Sequence, residues 1–427
     1  MNPRLPLGRA YHLASTVLRE LRASGIDTSE ISHVGSLRRM APDVGDVSLV
    51  APAEDTHRPR LLRNFTRLPS ATGVLAQSET GASITTDRGQ VTLHVVPREH
   101  AGAALVWLTG SVGHVHRLAG VAAECGFEFR GARLLDRERR EVPCHSEDAF
   151  YARLNLPVIP PELRHGEDEV DAARAGRLPS LLTTLHMRGD LHMHSTWSDG
   201  RNTMEQMARA AVTLGYEYIA ITDHSQRAWS SRKLALEDIP DQRAEMEIVR
   251  RQLPSLRILH GIEVDIMKDG SLDFDDETLA GFDIVLASLH DDGGQSAAEL
   301  TERYLSAIAS PYVDVITHPM NRAPAVSEGY DVDFDRIFRA AVASGTAMEI
   351  DGAPGHLDMD GALARRAAAA GVTIVVDSDG HRAEWLGRQM RFGVATARRG
   401  WIEPRHVLNT RRIQDVLAFV ARKRARA

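Results

Sequence analysis

Seven short apolar runs in the second half of this chain carry histidines or acids at or just beyond their ends: GDLHMH, YIAITDH, LHGIEVDI, IVLASLH, DVITHP, AMEID and TIVVDSDGH. Between them lie stretches of helical character such as TMEQMARAAVTLG, where Met204, Met207, Ala208, Ala211 and Val212 follow a helical apolar spacing. Strand alternating with helix in this way implies a parallel barrel, and function in such barrels concentrates at the C-terminal strand ends. Nine residues sit in or near those positions: His192, His194, Asp199, His224, Glu263, His290, His318, Asp379 and His381. They form a candidate metal cage.

The first run shows the chemistry at its simplest. Successive strand side chains point to opposite faces, so His192 and His194 project the same way, roughly 6.6 Å apart along the strand. The loop STWSDG then returns a carboxylate, Asp199, to the same spot, and the last run repeats the device with Asp379 and His381. Glu263 can bridge two ions because a carboxylate has two oxygens, whereas a neutral imidazole usually serves one. A mixed nitrogen and oxygen set suits zinc, manganese or iron better than calcium or magnesium. A lone buried histidine is usually a satisfied core residue; it is the number of ligand types in register that shifts the reading. Asp223 and Asp265 are weaker candidates, either orienting a ligand or capping a strand end. His260, His356 and Asp377 read as structural or surface residues.

The runs DLHMHSTWSDG, ITDHS, GIEVDI, ASLH, THP and DSDGH resemble the polymerase and histidinol phosphatase (PHP) domain, over about residues 186 to 427. The resemblance implies a distorted seven-stranded barrel with three divalent ions, Mn2+ or Zn2+ with Fe2+ as a further candidate. By motif position it puts one ion on His192, His194, Glu263 and Asp379, the set expected to carry catalysis. It puts a second on Glu263, His290 and His318, and a third on Asp199, His224 and His381. Clustered divalent ions lower the pKa of a bound water towards roughly 7 and neutralise charge on a phosphoryl group, so the implied reaction is phosphoester hydrolysis. Arg227, Lys233, Arg322 and Arg382 fall near the strand-end loops and are candidates to clamp a phosphate.

The first half resembles the palm and thumb of bacterial family X DNA polymerases, through VGSLRRMAPDVGDVSLV, VTLHVVPREHAGAALVWLTGSVGHVHRLA and LPVIPPELRHGEDEVDAARAGRLPSLL. In that family the barrel follows the thumb in the same order. The expected fold is therefore α/β: an α+β nucleotidyltransferase-like palm over 1–105, a small thumb over 106–165, a linker over 166–185 and a (β/α)7 barrel over 186–427. The palm departs from its family. Two metals there need three aspartates, two in a G-D-x-D run and one in V-D-L-x-V-V-P, but this chain reads Gly45-Asp46-Val47-Ser48 and Val91-Thr92-Leu93-His94. One carboxylate cannot assemble paired ions for nucleotidyl transfer. The helix-hairpin-helix and lyase region is not seen ahead of RAYHLASTVLRELRASG. The first 165 residues thus read as a polymerase-derived module without polymerase activity. Ser36, Arg38 and Arg39 match the family's triphosphate-binding motif, and Thr109, Gly110 and Ser111 its sugar-contacting turn; both could survive for the fold alone.

At 427 residues and 43% hydrophobic content, the chain can fill two or three cores. A formal charge of −7 argues against a general nucleic-acid coat, so DNA contact has to be local. The basic end ARKRARA, with arginines at 398, 399, 405, 411 and 412, suits either a phosphate backbone or a solvated helix face. Cys125 and Cys144 are too few for a disulfide framework, and there is no long apolar span or signal segment. A cytoplasmic protein without membrane contact is expected. Residues 53 to 70 read as loop-rich. Three functions fit: a phosphoesterase working on DNA 3′ ends, as a 3′-to-5′ exonuclease or end-processing enzyme; a small-molecule phosphomonoesterase of the histidinol phosphatase kind; and a non-catalytic DNA-end scaffold. The full ligand set argues against the last.

Overall fold

The computed structural model describes residues 4–228 and 230–425, in two compact units, Met1–Pro179 and Ser180–Ala427. In the first unit, helix α1 (Leu7–Ala23) buries Leu7, Ala10, Leu13, Ala14, Val17 and Leu21, an apolar stripe at helical spacing. Its sheet contains β1 (Ser32–His33) and β2 (Val47–Pro52), then helix α2 (Arg58–Phe65), then β3 (Gly73–Gln77), β4 (Gly81–Thr86) and β5 (Gly89–Val96). The strand order is β1-β2-β5-β4-β3, with β2 and β5 parallel and Ser48 paired to Thr92. Helices α3 (Ala101–Thr109), α4 (Val112–Glu124) and α5 (Glu147–Arg153) follow.

One expectation changes in this unit. The stretch 53 to 70 is not loop-rich, because α2 occupies its centre. Its charges and Pro59 conceal a short amphipathic helix, with the proline in the first turn, where it is tolerated, and Leu61, Leu62 and Phe65 buried. Within the stretch 166–185, the carboxylate of Glu169 is buried and meets His114 Nδ1 at 2.7 Å.

The second unit is a nearly closed parallel barrel. Its strands are β6 (Gly189–Asp190), β7 (Tyr218–Ile221), β8 (Arg257–Asp265), β9 (Ile284–Ser288), β10 (Val315–Ile316), β11 (Ala347–Asp351) and β12 (Ile374–Asp377), paired in that order. Crossover helices include α6 (Met204–Thr213), α7 (Ile239–Gln252), α8 (Ala297–Ala309), α9 (Phe334–Ser344), α10 (Gly361–Ala369) and α11 (Leu386–Arg399). Period-2 alternation divides each strand between two cores: Ile219 and Ile221 face the helices, while Tyr218 and Ala220 join Leu259, Leu286, Val315, Ala347 and Val375 in a separate cluster.

Regular pairing does not close the seam between β12 and β6. Asp377 Oδ1 accepts from Leu191 N at 2.7 Å and Asn409 Nδ2 at 3.0 Å, Asp190 Oδ1 accepts from Ser378 N at 3.1 Å, and Met193 bridges Gly380. His192 and His194 therefore stand beyond β6, on chain held by this irregular seam.

Helix α12 (Ile413–Arg424) contributes Val416, Phe419 and Val420 to the same cluster as Tyr218 and Ala220. Lys423 Nζ donates to the carbonyls of Val313 and Ile308 and to Thr346 Oγ1, and Arg424 reaches Asp314 at 3.3 Å. These partners precede β10 and β11, so α12 plugs the N-terminal end of the barrel. The basic end is thus neither a phosphate-binding tail nor a solvated face at Lys423 and Arg424, since both cations turn onto backbone carbonyls and a buried aspartate. Arg426 lies outside the described residues.

Candidate metal centre

At the opposite end of the barrel, Glu263 is the hub. It is fully buried near the end of β8, where its two oxygens face different imidazoles. Oε1 lies 3.0 Å from His318 Nε2 and 3.4 Å from His290 Nε2, while Oε2 lies 2.9 Å from His224 Nδ1, 3.4 Å from His192 Nε2 and 3.5 Å from His194 Nε2. Asp379 Oδ1 stands 3.1 Å from His194 Nε2 and 3.5 Å from His192 Nε2, and Asp199 Oδ1 stands 3.2 Å from His381 Nε2 and 3.7 Å from His224 Nε2. All nine predicted residues are linked by such approaches.

Their grouping differs in part from the one that the motif positions imply. His194 lies with Asp199, His224 and His381 as well as with His192 and Glu263, and His224 joins Glu263 and His290.

Local sequence explains the positions. Asp223 accepts from Ser195 N, Ser195 Oγ, Ser198 N, Ser198 Oγ and Gln242 Nε2, all at 2.6–3.2 Å, which folds the STWSDG loop back and returns Asp199. Gly200 is needed there, because a Cβ would lie 2.5 Å from the His194 carbonyl oxygen. His318 and Asp379 hold positive φ, +27° and +48°, a conformation costly for residues other than glycine and concentrated at functional sites. His290 Nδ1 meets Asp265 Oδ1 at 2.9 Å, so Asp265 orients a ring.

Sequence reasoning missed Glu349. This fully buried residue of β11 accepts from His192 Nδ1 at 2.6 Å, His318 N at 2.8 Å and Thr317 Oγ1. Those bonds fix His192 with Nε2 towards the cage, the role of a carboxylate behind a metal-ligating histidine. The signal was present: in AMEID, Glu349 and Asp351 are two apart and share a face, while Met348 and Ile350 take the other. His356, read as structural, instead lies with Asp351 and Asp379.

The donor set fits cations. Glu263 Oε2, His194 Nδ1, His224 Nδ1, His318 Nδ1 and Asp199 Oδ1 are buried without hydrogen-bond partners, although three imidazole nitrogens crowd Glu263 Oε2. His192 Nε2 and His194 Nε2 face each other at 3.2 Å. Buried nitrogen and oxygen atoms left without partners inside such a cluster of imidazoles and carboxylates are what a bound cation satisfies.

Charge agrees. Burial, with His381 and His224 alongside, pushes the His194 imidazole down to about 3, leaving a free lone pair at neutral pH. Burial opposes charge on Glu263, but His224 and His192 hold it well below the usual carboxylate range. Burial also opposes charge on His192, yet Glu349, Glu263 and Asp379 raise it well above its ordinary value. The surroundings of the cage are anionic and favour any cation that enters.

The candidate phosphate clamps make no contact with the cage. Arg227 is largely exposed and pairs with Asp273 at 3.4 Å, Arg322 is buried against Asp360 at 3.3 Å, and Arg382 stacks over Trp385 at 4.6 Å. Lys233 is exposed. Ser36 and Arg38 belong to the other unit, where the Arg38 guanidinium is bidentate on Glu147 at 2.6 and 2.9 Å and donates to Thr109 Oγ1. Arg39 donates to the Thr109 carbonyl oxygen.

The palm has a contrasting site. Ser48 Oγ donates to Asp46 Oδ2 at 2.6 Å, and Thr92 Oγ1 pairs with Ser83 Oγ at 2.9 Å. The three positions that would carry carboxylates hold one.

A seven-stranded parallel barrel with a histidine and carboxylate cage at its C-terminal strand ends is the architecture of a metal-dependent, hydrolytic phosphoesterase of the PHP type. The comparisons agree: the PHP domain model matches residues 190–325, and the DNA polymerase beta thumb model matches residues 104–165. A DNA polymerase/3′-5′ exonuclease PolX of Bacillus subtilis is 34% identical over 423 residues, 98% of this chain and 73% of the relative. A probable phosphatase of a Thermoanaerobacter species is 31% identical over 211 residues, 47% of this chain and 81% of the relative. One of Shewanella oneidensis is 31% identical over 210 residues, 46% of this chain and 78% of the relative. The chain belongs to the bacterial family X DNA polymerases that carry a C-terminal PHP domain. Among the described residues no helix is long and apolar enough to cross a membrane.

Proposed function

We propose that this protein hydrolyses phosphodiester bonds at DNA 3′ ends, as a 3′-to-5′ exonuclease or end-processing enzyme, with the barrel as its catalytic site. The supporting observation is the contrast within one chain: nine ligand residues brought together in the barrel, eight of them in the tight groups and His318 through Glu263, against a single palm carboxylate already bonded to Ser48. The palm unit is inactive as a polymerase, because one carboxylate does not hold the paired ions that nucleotidyl transfer needs.

His192, His194, Glu263 and Asp379 would hold one divalent ion, Glu263, His290 and His318 a second, and Asp199, His224 and His381 a third, with His194 and His224 near enough to share. Manganese, zinc or iron suits these donors. When bound, such ions supply Lewis-acid stabilisation of phosphoryl charge. Glu349 and Asp265 keep His192 and His290 turned inward, and the plug of α12 at the other end confines access to the strand ends. Relatives spanning almost the whole chain include one named as a 3′-5′ exonuclease, which supports DNA as the substrate and a DNA-holding role for residues 1–165. Ser36 and Arg38 are the proposed phosphate contacts there, although Arg38 has to leave Glu147 to serve. The protein would act in the cytoplasm.

A second reading has its own support. The relatives named as probable phosphatases match about half of this chain, so a barrel of this kind also occurs in proteins of that name. Hydrolysis with added manganese of a 3′-recessed duplex, histidinol phosphate and a generic phosphomonoester separates the two. Stepwise shortening of the DNA, lost on chelation, is expected. Turnover of the small esters alone would replace the proposal with the phosphatase reading.

A further inference from the structure

A separate group of unsatisfied ligand atoms adjoins the cage. Asp351, the last residue of β11, is fully buried; its Oδ1 accepts from Ala353 N at 2.5 Å, but its Oδ2 has no partner. His356, in the loop that follows, also has a buried Nδ1 without a partner. Its ring stacks on that of His318, 5.5 Å between centroids and 25° between planes, which fixes its orientation beside the cage. One ligand atom each from Asp351, His356 and Asp379 lies within 4.8 Å of the others.

Two buried carboxylates at that separation repel unless a cation or a shared proton stands between them. The carboxylate pair has a nitrogen donor beside it, and two members of the group of three hold unpartnered atoms. Carboxylate oxygens with one imidazole suit a borderline divalent cation such as Mn2+, Zn2+ or Fe2+.

We propose that Asp351, His356 and Asp379 bind a further divalent cation next to the cage, with Asp379 serving both. Three protein ligands leave a coordination position free, where an anionic substrate oxygen would enter. The proposal depends on the cage reading only through the shared Asp379.

Metal counting tests it. The full chain, stripped with chelator and dialysed against increasing Mn2+, is analysed for bound metal beside His356→Ala and Asp351→Asn. Asp351→Asn preserves shape and His356 lies in a loop, and circular dichroism checks the fold of both. Each variant is expected to saturate one equivalent below the wild type. Equal saturation in wild type and variants, or loss of every ion in the variants, would overturn a separate site while leaving the cage reading standing. A wild type that binds no metal would overturn both.

Discussion

The palm and the barrel each bring polar side chains together on parallel strands, but their unsatisfied atoms differ. In the palm, Ser48 donates to Asp46 and Thr92 pairs with Ser83, so these side chains are satisfied by neighbouring hydrogen bonds. In the barrel, Glu263 Oε2 and the Nδ1 atoms of His194, His224 and His318 are buried and remain unmatched. A buried polar atom without a partner costs on the order of 1–3 kcal/mol, so a cluster of them is maintained only where something else completes it. Residue types alone do not separate the two sites; the hydrogen-bonding state of their polar atoms does.

The sharpest way to break this comparison is at the hub. Glu263→Gln removes the negative charge of the bridge and one of its two oxygen donors, and is expected to lower hydrolysis by roughly 100-fold or more, together with bound metal measured after dialysis. Unchanged metal content would refute its role. Metal itself should distinguish the units: Mn2+ at about 100 times its Kd stabilises whatever binds it by about 2.7 kcal/mol. Hydrogen exchange should therefore slow at the ends of β8 to β12 and stay the same around Asp46 and Thr92. Protection appearing in the palm as well would erase the distinction.

Glu349→Gln sharpens it further, with an expected 10- to 100-fold loss of metal affinity because the His192 ring loses its anionic partner. Thermal unfolding of the metal-free protein should move far less than metal affinity does. A large loss of stability with affinity intact would make Glu349 merely structural.

Least effect on activity is expected at the plugged end. Asp314, facing Lys423 and Arg424, is pushed up to about 6 by burial, although Arg424 pulls the other way. The unfolded value is about 3.9, so between these values the folded state binds more protons. This contribution to stability is complete below about pH 4 and is lost as pH rises through 6, on the order of 2 kcal/mol. Denaturant titrations at pH 4 and 6 should show that slope in the wild type and not in Asp314→Asn, with hydrolysis retained.

The same contrast explains what could be read from sequence. Asp199, Glu263, Asp379 and the six histidines stood out because strand periodicity and polar strand ends are local signals. Glu349, Asp351 and His356 did not, since AMEID resembles an ordinary buried strand until Glu349 is seen to accept from His192, 157 residues away. Helix α2 was hidden by its charges, and Lys423 by a basic terminus that looks solvated, because nothing local to ARKRARA announces the carbonyls of Ile308 and Val313. Long-range hydrogen-bond partners are what the sequence withholds.

The most direct test pairs one substitution from each site on a manganese-dependent DNA shortening assay. His194→Ala should reduce the rate by roughly 100-fold or more, while Asp46→Ala should stay within about twofold of wild type. A wild-type rate in His194→Ala, or a collapse in Asp46→Ala, would move catalysis out of the barrel.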